Sequence, residues 1–157
     1  MRSGTTWVQQ AYLKASNTEV NDLFRQSVAI SGDTLIVGAY DEDSSTTEVN
    51  GDESNNDAPG AGAGYVFMRN GLIWVQQAYL KASNAGVGDN FSMSIAISEN
   101  SIVIGAIGED SNSIGVGGDQ ENNSASYSGA AYGFTIEQNP TLIYLPMIVN
   151  GYKYLIY

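Results

Sequence analysis

The chain contains no cysteine and no histidine. Without cysteine there is no disulfide framework and no thiolate metal site. That absence fits a reducing cytosol, and equally a secreted bacterial protein that uses none. Without histidine the usual general base and the commonest metal ligand are gone, so any catalysis falls to carboxylates, Tyr, Lys or Ser. Positive charge is scarce. Six Lys and Arg stand against 17 Asp and Glu, a net charge of −11, and neither Lys nor Arg occurs between Arg25 and Arg69. Such a surface repels nucleic acid phosphates and anionic membranes, leaving cations or neutral ligands as partners. No window of about 18 apolar residues marks a membrane span. The nearest approach, "LIYLPMIVNGYKYLIY", is interrupted by Pro146, Asn150, Gly151 and Lys153. Met1 is followed within six residues by Trp7 and a strand-like run, not by the basic stretch and apolar core of a secretory leader.

What is present is a repeat. The phrase "WVQQAYLKASN" occurs at 7–17 and again at 74–84, and residues 7–70 align with 74–137 without a gap, at an offset of 67. Phe24 falls on Phe91, Ala29 on Ala96, and Gly38-Ala39 on Gly105-Ala106. Glu42-Asp43-Ser44 falls on Glu109-Asp110-Ser111, Gly51-Asp52 on Gly118-Asp119, and Asn55-Asn56 on Asn122-Asn123. Tyr65 and Phe67 fall on Tyr132 and Phe134. At 157 residues and 43% hydrophobic content the chain is globular and has enough material for one ordinary domain. Its 18 glycines and many Asn, Ser and Asp residues signal frequent turns.

Each unit reads as strands: "SVAIS" (27–31), "TLIVGA" (34–39), "GYVFMRN" (64–70) and "IWVQQAYLKA" (73–82). Gly32 and Asp33 mark a tight turn between the first two, and Asn70-Gly71 marks another between the last two. A long polar loop spans 40–62. No segment carries a sustained helical period with caps. The expected fold is all-β, built from four-stranded antiparallel meanders, with about two such sheets present. A two-sheet sandwich made by internal duplication would satisfy the duplication alone. A radial array of sheets, a β-propeller, accounts for the meander as well. The expected organisation is 1–23 as the outer strand of a preceding or closing blade, 24–83 as blade 1, 91–149 as blade 2, and 150–157 as a tail. Residues 141–149 stand as the divergent last strand of blade 2.

"FRQSVAISGDTLIVGAY", "FSMSIAISENSIVIGAI" and the "GAGYVF" and "GAAYGF" strands resemble the FG-GAP repeat, which builds the propeller of integrin α subunits and many bacterial surface proteins. The resemblance covers 7–137. It departs where the glycine after Phe is Arg25 or Ser92, where the proline after Gly-Ala is Tyr40 or Ile107, and where "SGD" (31–33) becomes "SEN" (98–100). It implies a non-enzymatic recognition or adhesion protein, extracellular or at a bacterial cell surface, with a protein or glycan partner and no insertion into a membrane. Propellers have about four to eight blades, and two cannot close a ring. Three arrangements resolve this: further blades from a longer parent chain, self-association of several copies, or a relic whose two sheets pack on each other. The strand at 7–14 could also pair with the second blade in place of 141–149, as its twin does in the first. A structural repeat with no ligand and a carboxylate-based hydrolase are the alternative functions.

The loop 41–57 carries seven carboxylates and no base; 108–124 keeps Glu109, Asp110, Asp119 and Glu121. Calcium takes six to eight oxygen ligands of the kinds these loops supply. The recurring candidates are Asp43, Asp52 and Asn56, with Asp110, Asp119 and Asn123 in the second copy. The bland alternative is a solvated acidic loop. The spacing does not match an EF-hand loop, since Thr46 stands where that turn needs glycine. The integrin-type calcium loop precedes the Gly-Ala motif, so the resemblance carries no calcium site here. Trp7, Trp74, Tyr12, Tyr79, Tyr65, Tyr132, Phe24 and Phe91 are expected to pack between sheets.

Overall fold

The computed structural model describes Gly4, residues 6–137, and the backbone of Met147–Val149 and Tyr152–Tyr154. Every regular element in it is a β-strand. β1 (Val28–Ser31), β2 (Thr34–Ala39), β3 (Ala63–Asn70) and β4 (Ile73–Leu80) form an antiparallel sheet in the order β1-β2-β3-β4. β5 (Phe91–Ser98), β6 (Ser101–Ala106) and β7 (Ala130–Thr135) form a second sheet in the order β5-β6-β7. β8 (Met147–Val149) and β9 (Tyr152–Tyr154) pair only with each other.

The meander follows from the turns. Ser31 faces Thr34 across a two-residue loop whose Gly32 has φ +57°. Asn70 faces Ile73 across Gly71-Leu72, with Gly71 at +64°. Left-handed backbone at these corners matches the strand twist, and glycine adopts it at no steric cost. In the second sheet the first corner is Glu99, held at +53°.

The sheets share a core. Ile36, Val66, Leu80 and Ala82 from the first meet Phe91, Ile102, Ile104 and Ala106 from the second, all buried. Ile95, Ile97, Tyr132 and Phe134 pack around them. The opposite face of the first sheet, with Val37, Tyr65, Phe67 and Tyr79, is covered by Leu13, Ala15 and Phe24 from the segment before β1. The connection between the sheets is bolted to the first. Gly88 N donates to Pro59 O (2.9 Å), Asn90 N to Gly60 O (2.9 Å) and Phe91 N to Ala61 O (3.0 Å). Gly62 makes this approach possible, because a Cβ there would lie 2.7 Å from Phe91 N.

Two expectations are corrected. Residues 7–14 form no strand and join no sheet, although their twin is β4. The physical reason is that β4 has β3 to pair with, whereas no described strand pairs with 7–14 and Leu13 only packs on the face of the first sheet. Trp7 (86% exposed) and Tyr12 (80%) consequently lie outside the core, while Trp74 and Tyr79 pack in it. The second sheet has three described strands, and Met147–Val149 pairs antiparallel with Tyr152–Tyr154 in a separate two-stranded sheet. Residues 141–146 lie outside the described residues.

Candidate functional site

Both long loops leave their sheets from the same place, between the second and third strands, and are shaped by the same bonds. Ser44 Oγ donates to Asp52 O (2.7 Å), Ser45 N to Asn55 Oδ1 (2.9 Å) and Asn55 Nδ2 to Asp52 O (2.9 Å). At the offset of 67, Ser111 Oγ donates to Asp119 O (2.8 Å), Asn112 N to Asn122 Oδ1 (3.0 Å) and Asn122 Nδ2 to Asp119 O (2.8 Å).

The calcium candidates are distributed through this scaffold. Asp43 Oδ1 accepts Gly60 N (2.8 Å), and Asp110 Oδ1 accepts Tyr127 N (2.6 Å). Asp52 Oδ1 accepts both Ser54 N (2.9 Å) and Ser54 Oγ (2.6 Å), which lowers its pKa. Asp119 Oδ1 accepts Glu121 N (3.1 Å), and Asn56 Nδ2 donates to Glu19 Oε2 (2.7 Å). Asn123 lies in the second loop between Asn122 and Ser124. Among the described residues no group of three or more Asp or Glu is placed to hold a metal ion. Asp43, Asp52, Asp110 and Asp119 each accept a bond from a nearby loop donor, and Asn56 donates one.

The concentrated chemistry lies beneath the loops. Glu42 and Lys81 are buried and paired, Nζ to Oε2, at 2.9 Å. Glu42 Oε1 also accepts Tyr79 Oη (2.7 Å) and Asn17 Nδ2 (3.0 Å), and Tyr65 Oη donates to Asn17 Oδ1 (2.6 Å). Burial pushes the Lys81 ammonium below its ordinary 10.5, with the Glu42 carboxylate pulling the other way. Burial raises Asp22 and both tyrosines, Glu42 adding to each. This junction ties β4, the β2–β3 loop and the segment before β1 into one knot. Sequence reasoning read Tyr79 and Tyr65 as packing residues and did not single out Glu42 or Lys81. The available signal was an acid recurring at 42 and 109 opposite a repeated "YLK".

The second sheet holds half of the same knot. Glu109 is buried, its Oε1 accepts Asn84 Nδ2 (3.1 Å), and Tyr132 Oη donates to Asn84 Oδ1 (2.6 Å). No described residue stands where Tyr79 and Lys81 stand in the first. Beside β7 lies a cleft of about 460 Å³ lined by Glu109, Gly117, Gly118, Ala131 and Tyr132, among others. Their counterparts Glu42, Asn50, Gly51, Gly64 and Tyr65 flank β4 in the first sheet, where Asn50 N donates to Tyr79 O (2.8 Å). The cleft corresponds to the place of a fourth strand, which no described strand occupies.

Repeated antiparallel meanders packed face on face, each knotted to the segment before it, define a propeller-blade array whose ring is not closed. A family model described as FG-GAP repeat matches residues 7–67 and 74–134. The chain belongs to the FG-GAP repeat family. No curated protein matches the chain, and no solved structure does.

Proposed function

We propose that the chain is a non-enzymatic segment of an extracellular or cell-surface recognition protein, whose blades are scaffold and whose long loops present polar groups to a protein or glycan. The observation that carries this is the division of labour among the acids. Glu42, the most deeply buried of them, is fully engaged by Lys81, Tyr79 and Asn17. The loop acids lie largely at the surface, held by local bonds. Binding to an array of glycans and matrix proteins tests the reading, with a variant whose 112–123 loop is replaced by a short Gly-Ser turn. Saturable binding lost in the variant supports it; absence of binding throughout favours the alternative of a structural repeat without ligand. That alternative draws support from Arg25 and Ser92, at φ +150° and +76° where the family's glycine is expected. Calcium is decided separately by titration. Heat and a rise in melting temperature would place the ion in the loops; neither would leave them held by their own hydrogen bonds.

A further inference from the structure

Among the described residues no strand pairs with the outer side of β7, and residues 7–14 join no sheet. We infer that residues 7–14 of a second copy of this chain fill the cleft beside β7, adding the fourth strand of the second sheet in trans, while Ala15, Ser16 and Asn17 stay on the donor's first sheet. Four observations converge. The phrase at 7–17 is identical to 74–84, which supplies β4 and its flanks in the first sheet. Residues 7–14 join no sheet in their own chain. Among the described strands β7 is an edge whose outer side faces the cleft, and edge strands recruit further strands. Glu109, buried at the back of that cleft, has an Asn partner as Glu42 does, yet no ion pair among the described residues.

The register follows from the first sheet, where Gly64 faces Leu80, Tyr65 faces Tyr79 and Val66 faces Ala78. In the assembly Ala131 faces Leu13 of the second copy, Tyr132 faces Tyr12 and Gly133 faces Ala11. Lys14 then reaches Glu109 as Lys81 reaches Glu42, and Tyr12 takes the place of Tyr79. The same chain cannot close the gap on itself, since Ala15, Ser16 and Asn17 are anchored on the first sheet through the Ala15 core contact, Gln76 and Glu42. The donated strand brings with it the face of the donor's first sheet that carries Val28 (58% exposed) and Ile30 (61%). Those residues correspond to Ile95 and Ile97, which pack between the sheets within one chain. The contact is head-to-tail, so copies add until a ring closes. With two sheets per copy, rings of two to four copies fall in the usual range of about four to eight blades. This inference does not depend on the recognition reading, because its test uses mass and not ligand.

The test is light scattering of the full-length chain across concentrations, with Lys14→Glu, Glu109→Lys, and their mixture. The wild type should exceed the 16.7 kDa of one chain as concentration rises. Each variant alone should need about tenfold or more protein to assemble, and the mixture should recover, because each donor then meets an acceptor of opposite charge. A synthetic peptide of residues 6–17 should dissociate the wild-type assembly. A wild type that stays monomeric throughout overturns the inference. So does an assembly indifferent to Lys14→Glu and to the peptide. Lys14 is exposed, so its variant keeps the fold. Should Glu109→Lys fail to fold by circular dichroism, Lys14→Glu and the peptide decide alone.

Discussion

At the scale of single residues, the chain holds left-handed backbone where its family uses glycine. Ser92 sits at φ +76° in a bulge, where Phe91 faces Ala106 and Ser94 faces Gly105, leaving two residues unmatched. Bulges of this kind take glycine at the left-handed position. Ser92 adds a second cost, a buried hydroxyl with no hydrogen-bond partner. Left-handed backbone costs a side-chain-bearing residue about 1–2 kcal/mol, and glycine returns about 0.5–1 kcal/mol through its flexible unfolded state. A buried unsatisfied group costs about 1–3 kcal/mol more. Ser92→Gly is therefore expected to stabilise by about 1–4 kcal/mol, and Glu99→Gly, which relieves strain alone, by about 0.5 kcal/mol. Urea denaturation of both variants checks the order; equal effects would mean that the hydroxyl costs nothing. Asp89 gives a second prediction. It is buried, its Oδ2 accepts Gly86 N (2.8 Å), and burial first, then Glu109 and Asp110, raises its pKa above 3.8. A raised carboxylate adds stability below its unfolded value and loses it as pH rises through the folded one. At pH 7 the charged form is thus a burden. Asp89→Asn should be more stable than the wild type at pH 7, with the difference closing as pH falls towards 3.8. Melting temperatures measured from pH 7 down to pH 3.5 check this, and a constant difference would contradict it.

At the scale of elements, one phrase takes two fates. As β4 it pairs with β3 and buries Lys81 on Glu42; at 7–14 it joins no sheet and leaves Lys14 exposed. Removing one partner of a buried ion pair costs about 3–5 kcal/mol, because the other charge is stranded. A surface change costs within about 0.5 kcal/mol. Lys81→Met should therefore destabilise by about 3–5 kcal/mol, and Lys14→Met, in identical local sequence, should leave the dilute chain's stability unchanged. Chemical denaturation of the two variants side by side reads the contrast. The contrast also shows what the sequence could and could not convey. Alternation in "SVAIS" and "TLIVGA" and the glycines at 32 and 71 are local signals, and they placed β1 to β4 within a few residues. The environment of 7–14 is not local: whether "WVQQAYLK" becomes a strand depends on an adjacent edge. Glu42 was obscured for the same reason. In a run of seven acids nothing local separates the one that turns inward to Lys81 from those that face water. The loop candidates were chosen by recurrence, and recurrence selected the residues that shape the loop, Asp43, Asp52, Asp110 and Asp119.

At the scale of the whole molecule, the second sheet rests on the first. A sheet of three described strands has little interior of its own, and β5 to β7 bury Phe91, Ile102 and Ile104 against Ile36, Val66 and Leu80. The linking segment adds backbone bonds from Gly88, Asn90 and Phe91 to the first sheet. The first sheet does not depend on the second in the same measure, because its other face has a separate core around Tyr65, Phe67 and Tyr79. Truncation at the shared core should therefore act asymmetrically. Ile104→Ala, at a fully buried site, should cost about 2–5 kcal/mol. Hydrogen exchange should show the loss as early opening of β5, β6 and β7 while the amides of β2 and β3 stay protected. The reverse change, Phe67→Ala in the first sheet's own core, should expose all seven strands at once, since the second sheet has lost the surface it rests on. Independent opening of the second sheet in Phe67→Ala, with its protection intact, would show that three strands suffice by themselves and that the shared core is an accessory to the fold.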